Sequence, residues 1–597
     1  MRVQRVQRWE IEFSHMSNVA SRRFLLCFWR FPHEHFTTAL HLIIMKFWIF
    51  LFATCALVNL QAQNGDKAGE EQPIPAAAKE APPAPPLSPE DALKSFKIQP
   101  GFRIEVVASD PMVQSPVQIQ FDGNGRMYVL EMRGFMRNVD GLHEEEPVGR
   151  VSLLTDTNGD GVMDKSFVFA DGLVMPRAIA LVRGGLLVAE PPHLWFFRDA
   201  DGDGKAEQKE EVSNDYGNQK NPEHNANGLL WARDNWIYSA NHTVRYRNLD
   251  GDWQKDVTTF RGQWGISQDD YGRLFFNSNS DPLRGDLVPS QYLLRNPNFK
   301  NPLGDNVQLE KSMAVFPSRV NPGVNRGYQK GQLRPDGTLA TFTGACGPVI
   351  YRGEIFPDQF YGAAFLCEPT GNLIRCEFLH EESGFIAATN AFPKTEFLTS
   401  SDERFRPVNL CNGPDGALYV VDMYQGLLQH RIYLTTYLRN QYLSRGLEKP
   451  INMGRIYRIL PENAKKTAPV KLEDASPTEL VSKLSDRNGW VRDTAQRLLI
   501  EKRDTRAVKP LREVAAKGEF PAALHAFWVL HATDQLTPAT IQAGLKSSDS
   551  KVRATAVRMG ENYLKVEGKN ETQASLFAMA KDPSVDAKLQ LMFSLGE

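Results

Sequence analysis

The sequence predicts a multidomain protein, an all-β six-bladed β-propeller followed by an α-helical array of HEAT-like repeats. Two observations carry that expectation. From about Ser95 to Leu460 one pattern keeps returning, a tight turn followed by Gly-x-apolar-Tyr/Phe-Val: DGNGRMYVLEM at 122–132, RGGLLVAE at 183–190, ARDNWIYSA at 232–240, DDYGRLFFN at 269–277, YGAAFLCEPTGNL at 361–373 and GPDGALYVVDM at 413–423. Strands launched from turns at roughly 40 to 90 residue intervals, with loops of unequal length, read as blades. A sandwich array is the alternative, but sandwiches do not repeat one strand signature in this way. After Asn463 the apolar spacing turns helical, and a Val-Arg-x-x-Ala core recurs at Val491-Arg492 to Ala495 and Val552-Arg553 to Ala556. That is the mark of stacked helix pairs.

Composition narrows the function classes. The 597 residues are 42% hydrophobic, and 69 Lys+Arg balance 71 Asp+Glu to a net charge of −2. Large cores follow, and with no basic block no nucleic-acid partner is expected. Six cysteines with no C-x-x-C pair and no C-x-x-C-H exclude a zinc ribbon, a thioredoxin-type pair and an attached c-type haem within this sequence.

Taken in order, residues 1–44 read as an upstream extension foreign to the native chain, with Met45 as its start. Residues 45–62 carry one Lys, an apolar run from Phe47 to Leu60 and a small-residue exit at Ala62, the parts of a signal peptide. A membrane anchor is the rival reading. Export to the periplasm or cell envelope follows for what comes after. Residues 63–92 are rich in Ala and Pro and read as an extended, solvated linker. The propeller is expected over 93–462, a second linker over 463–474, and the helical repeats over 475–597. Such an array needs a polar cap, whereas this one stops on an apolar helix, so truncation is expected.

Two acidic loops suit a hard cation. DADGDGKAEQKE places Asp199, Asp201 and Asp203 at positions 1, 3 and 5, Glu207 at 9 and Glu210 at 12 of a calcium loop. DTNGDGVMDK repeats its first half with Asp156, Asn158, Asp160 and Asp164, with Phe167 where the last ligand should be. Both are flanked by strands and read as structural loops; the bland reading is a pair of turns that bind nothing.

In propellers the turns before the innermost strands converge on the axis, so function is sought upstream of each repeated motif. There stand Arg177; Glu223, His224, Asn225 and Asn227; Arg261, Gln263 and Trp264; Arg319, Asn321, Asn325, Arg326 and Tyr328, with Cys346; and Asp402, Glu403, Arg404, Arg406 and Asn409. One His among several Arg and Asn suits an anionic or carbonyl-rich ligand. Trp264 is the tryptophan placed to stack on a flat cofactor.

With the six motifs, the calcium loops, His224 to Leu229 and the block FRPVNLCNGPDGALYVVDMYQG, the chain resembles the bacterial membrane-bound dehydrogenase family. These are exported proteins whose first domain is similar to the soluble quinoprotein glucose and sorbosone dehydrogenases. The resemblance implies oxidation of a sugar or other alcohol, calcium, pyrroloquinoline quinone as cofactor, and a c-type haem domain, missing here, as the electron-accepting cytochrome. It implies that His224 takes the substrate's hydroxyl proton. Arg177, Asn227, Arg261, Gln263, Trp264, Arg326 and Arg406 would hold the quinone, although Gln263 stands where the family pattern has Asn.

Two other classes compete. One is a non-catalytic module that holds a glycan on the propeller or a protein partner on the HEAT surface. The other is a calcium-dependent lactonase-like hydrolase, whose axial cluster would come from Glu131, Glu190, Glu368 and Asp422, ends of the repeated motifs; strand-end ion pairs are their bland reading. Of the cysteines, Cys367 and Cys376 flank a turn and are candidates for a hairpin disulfide, with free thiols the alternative.

Overall fold

The computed structural model describes residues 63–218, 220–249, 251–296, 298, 303–465, 471–565 and 570–596. The extension and signal peptide expected over 1–62 lie outside the described residues.

Six antiparallel sheets form the propeller. Their innermost strands are Pro116–Phe121, Ala178–Val182, Asn227–Trp231, Ile266–Gln268, Cys346–Ile350 and Pro407–Asn412, which define blades 1 to 6. Each sheet grows outward in chain order by antiparallel pairing, through connections as short as residues 183–184 in blade 2 and as long as residues 423–454 in blade 6. The exception closes the ring. Phe102–Ser109, from the start of the domain, is the outer strand of blade 6, with Ile104 opposite Ile459, while Phe96–Ile98 pairs with Leu398–Ser400 on blade 5. The chain's beginning thus covers two edges that would otherwise stand open.

The repeated motif marks the second strand of each blade and not the innermost: Met127–Glu131, Gly185–Glu190, Ile237–Ala240, Leu274–Ser278, Ala364–Glu368 and Leu418–Asp422. These strands are buried almost throughout, flanked within the sheet by two others and covered by neighbouring blades, so they carry the strongest apolar text. The turn ahead of each motif, built on Gly in five blades and on Asn235 in blade 3, connects the first two strands of its blade on the lower face. Residues one strand earlier therefore lie on the upper face.

The motif-ending acids hold the loops in place and form no axial cluster. Each accepts a backbone N–H from the loop that enters its own blade: Glu131 from Gln114 (2.9 Å), Glu190 from Val174 (2.6 Å), Glu368 from Thr343 and Gly344 (2.9 and 2.8 Å), Asp422 from Arg406 (2.8 Å).

The C-terminal region is helical. Pro477–Lys483 pairs with Gly489–Lys502, Val508–Lys517 with Ala522–Ala532, and Pro538–Gly544 with Ser550–Met559, while Val585–Leu595 packs on Ser550–Met559 and Glu571–Ala578 on Pro538–Gly544. They share a core that includes Leu480, Val491, Leu498, Phe527, Val552, Leu576 and Leu591. Side chains cap the helix starts except those of Val508–Lys517 and Ala522–Ala532, with a full capping box at Ser476 and Glu479. The recurring arginine ties each helix to the turn before it. Arg492 donates to the carbonyls of Asp486 and Arg487 (2.6 and 2.9 Å), and Arg553 to those of Ser547 and Ser548 (both 2.9 Å).

This region docks on the lower face of the propeller. Arg233 meets Asp493 at 3.1 Å, Arg352 meets Asp270 at 3.2 Å and also pairs with Asp493, and Arg492 donates to Tyr361 at 2.8 Å. Helix Gly489–Lys502 lies across the lower end of the central channel. There its Trp490, Asp493, Thr494 and Arg497 join the innermost strands around a cavity of about 190 Å³.

The Ala/Pro-rich segment expected to be a solvated linker is docked on the propeller. Proline-rich chain lacks donors but keeps its carbonyls, and arginines collect them: Arg404 at Ala84 (2.9 Å), Arg445 at Pro82 (3.4 Å) and Arg455 at Leu87. Asp66 accepts from Thr436 N (2.8 Å), and Glu70 from Tyr328 (2.9 Å). The four cysteines described are free. Cys376 lies opposite Phe365, while Cys367 faces Cys346 across the first two strands of blade 5, so the expected hairpin pairing is off register.

Candidate functional site

A cavity of about 150 Å³ opens on the upper face, around the axis. Its floor is where the innermost strands begin. Gly228, Gly265 and Gly347 there have positive φ, and a Cβ on each would meet backbone of the next blade: 3.2 Å from Gly265 Cα, 2.9 Å from Gly347 Cα and 2.6 Å from Asn409 Cα. Only glycine permits this approach.

The wall is polar but nearly uncharged. Carboxamides come from Gln118, Asn227, Asn279, Asn325, Asn409 and Gln429, hydroxyls from Thr343, Thr370 and Tyr442, and apolar faces from Trp264, Phe135, Met132 and Met423. Arg177 and Glu223 are its two charged groups among the described residues.

Glu223 is the titrating group. Burial pushes its carboxyl up to about 7. It accepts from Gln429 Nε2 at 2.8 and 2.6 Å and from His430 N, which leaves one of roughly four lone-pair positions open. His224, beside it, does not line the cavity. Gln263 turns its amide N–H toward His224 Nδ1, an orientation set by Asn279 N donating to Gln263 Oε1 at 2.6 Å. The imidazole edge also packs on Tyr433. Burial lowers its pKa, so the ring is neutral, with Nδ1 occupied as an acceptor.

The other expected residues divide. Arg177, Asn227 and Trp264 line the cavity. Asn227 spans two blades, with Oδ1 accepting Gly265 N and Nδ2 donating to Asn225 O, both at 2.9 Å. Trp264 donates to Glu223 O at 2.9 Å. Gln263 stands behind the wall as the brace of His224. Arg261 points away from the axis and pairs with buried Asp286 at 2.6 Å. Arg406 is buried and spends its guanidinium on the carbonyls of Pro369 (2.7 Å), Gln425 (3.2 Å) and Gly426 (3.4 Å). Arg326 reaches Gly65 O at 3.1 Å, under the docked N-terminal segment. Gln118, Asn279, Thr343, Thr370 and Gln429 line the cavity without having stood out in the sequence. Asn279 follows directly on a second strand, so the residue after each repeated motif is the signal that could have found it.

Both acidic loops join the third and fourth strands of their blades, 1 and 2, on the lower face. They are remote from the upper cavity. Asp199, Asp201, Asp203 and Glu207 bring carboxylate oxygens within 4.8 Å of one another, a donor set that fits calcium. Glu210 is not part of it; it lies on the following strand, 3.8 Å from Arg198. The blade 1 loop has the same form, with Gly159 and Gly161 N–H donating to Asp156 (both 2.7 Å) and Thr157 N to Asp164 (3.1 Å).

A family model described as a domain of unknown function, DUF7133, matches residues 88–463. The chain belongs to that family. The match covers the DUF7133 propeller with its first helix and ends where the helical region begins. No curated protein sequence matches the chain. Among solved structures it is similar to the holo form of the PQQ domain of pyranose dehydrogenase from Coprinopsis cinerea, at 14% identity and a TM-score of 0.33, covering 61% of this chain and 97% of that one. It is also similar to the soluble aldose sugar dehydrogenase of Escherichia coli, at 12% identity and a TM-score of 0.32, covering 60% of this chain and 100% of that one.

The cavity does not fit a tricarboxylate quinone with its calcium. One guanidinium in the wall would face three carboxylates, the remaining arginines are committed to Asp286 or to carbonyls, and among the described residues Glu223 is the sole acid that could reach a metal there. Buried anions need paired cations.

Proposed function

We propose that the upper cavity binds a sugar or another polyhydroxylated small molecule. Glu223 exchanges a proton with one of its hydroxyl groups, the acid–base half of an alcohol oxidation whose hydride passes to a dissociable two-electron acceptor. The observation that carries this is a half-buried carboxyl poised near neutrality in a ring of carboxamides beside an aromatic face. Carboxamides donate and accept at once, as hydroxyls do, and Trp264 offers an apolar platform to a sugar's C–H face. A group titrating near 7 both takes and returns a proton at physiological pH. Export of the chain and calcium in the loops of blades 1 and 2 belong to the same reading, with calcium as a brace of the blades.

Titration calorimetry with neutral hexoses, alongside dye-linked oxidation of the same sugars with and without added pyrroloquinoline quinone, tests it. Hexose binding that Asn409→Ala weakens is the expected result. Binding without dye reduction would make the domain a glycan-binding module, and no binding to any hexose sinks the reading.

A further inference from the structure

The cation in the cavity wall has no anion. Arg177 is 5% exposed, and among the described residues it pairs with no carboxylate. Its Nη1 donates to Pro222 O, its Nε is buried without a partner, and its guanidinium lies 5.9 Å from the Trp264 ring. The acids nearby are engaged elsewhere. Glu144 accepts from Met136 N (3.0 Å) and bonds His430 Nε2 (2.8 Å), while Glu223 is held by Gln429 and His430 N. Burying a guanidinium without a counter-charge is costly, and a bound anion would offset that cost. What Arg177 leaves over is its Nε–Nη2 edge, which presents two parallel N–H donors and matches a carboxylate side-on. A planar monoanion fits that edge. Three carboxylates exceed one cation, and a compact dianion would crowd its second charge toward Glu223.

We propose that Arg177 reads a carboxylate on the ligand, so that the cavity prefers a sugar acid, a hexuronate or an aldonate, over the neutral sugar. The carboxylate lies on Arg177, the ring against Trp264, and the hydroxyls among the carboxamides. This rests on the polyhydroxyl reading of the same cavity.

Calorimetry on the full chain with galacturonate, its methyl ester and galactose tests the two separately. A charge-assisted pair should make galacturonate bind about 10-fold tighter or more than galactose, with the uncharged ester falling back to the galactose level. Arg177→Gln should remove the preference, so that galacturonate, its ester and galactose bind alike; Arg177→Lys, which keeps the charge but not the fork, should retain part of it. Equal affinity for galacturonate, ester and galactose in the native chain overturns the proposal and leaves the sugar site standing. A loss of affinity for all three alike in Arg177→Gln makes Arg177 a structural residue and overturns it as well. Binding of none of the three overturns both readings. The ester comparison needs no variant, so a failure of Arg177→Gln to fold does not block the answer.

Discussion

Glu223 and His224 are adjacent in sequence and opposite in consequence. Glu223→Gln should lower turnover on a bound alcohol by about 10²–10⁴-fold, the span of a lost general base. His224→Gln, which keeps an amide beside Gln263, should cost less than about 10-fold on the same assay. The reverse order would return the proton transfer to His224. Glu223 also leaves a mark on stability. Its folded pKa, about 7, lies above the 4.5 of an exposed glutamate, so between those values the folded state holds more protons than the unfolded. Stability therefore falls as pH rises through that window, with the full penalty, on the order of 3 kcal/mol, present above 7. Glu223→Gln should accordingly raise the melting temperature more at pH 8 than at pH 5; an equal gain at both would mean that the carboxyl is solvated. The sequence located the right loop, NPEHNANGL, because His, Asn and Glu crowd there. It singled out His224, whereas the cavity is lined by Glu223, because residue type reveals which groups can exchange protons, while the side of a loop that faces the axis is decided by tertiary bonds such as Gln263 to Asn279.

Blades and helix pairs were legible because each repeats a local rule, strand after turn or apolar residues at helical spacing. Which strand of a blade carries the motif was not, because burial from both sides, and not nearness to the axis, makes a strand's text most apolar. The same rule hid what Glu368 does: it looks catalytic at a strand end yet holds Thr343, Gly344 and Thr370 N–H groups. Glu368→Ala leaves those donors unmet and should lower unfolding free energy by about 3 kcal/mol in a urea titration, more than Glu368→Gln, which retains an acceptor. The acidic hairpin of blade 2 gives an element-scale test of its own. Calcium should raise the melting temperature of the native chain and a chelator reverse it, while Asp201→Ala should reduce the response to what the blade 1 loop supplies. No shift in the native chain would make the hairpin a plain turn.

At the scale of the molecule, the order propeller then helices was readable from the change of period at Asn463, but the docking was not. It depends on charges far apart in the chain: Arg233, Asp270, Arg352, Arg492 and Asp493. Such a network is costly to break from one side. Asp493→Asn leaves Arg233 and Arg352 short of a counter-charge and should destabilise by about 3–5 kcal/mol; protease cutting first between the propeller and the helices would show that the loss falls on the interface. The helix Gly489–Lys502 also stands across the lower end of the channel, so that mouth is shared by propeller and helices, while the upper mouth is lined by the propeller alone. A change in the helix therefore alters one mouth of the axis and leaves the other as it was.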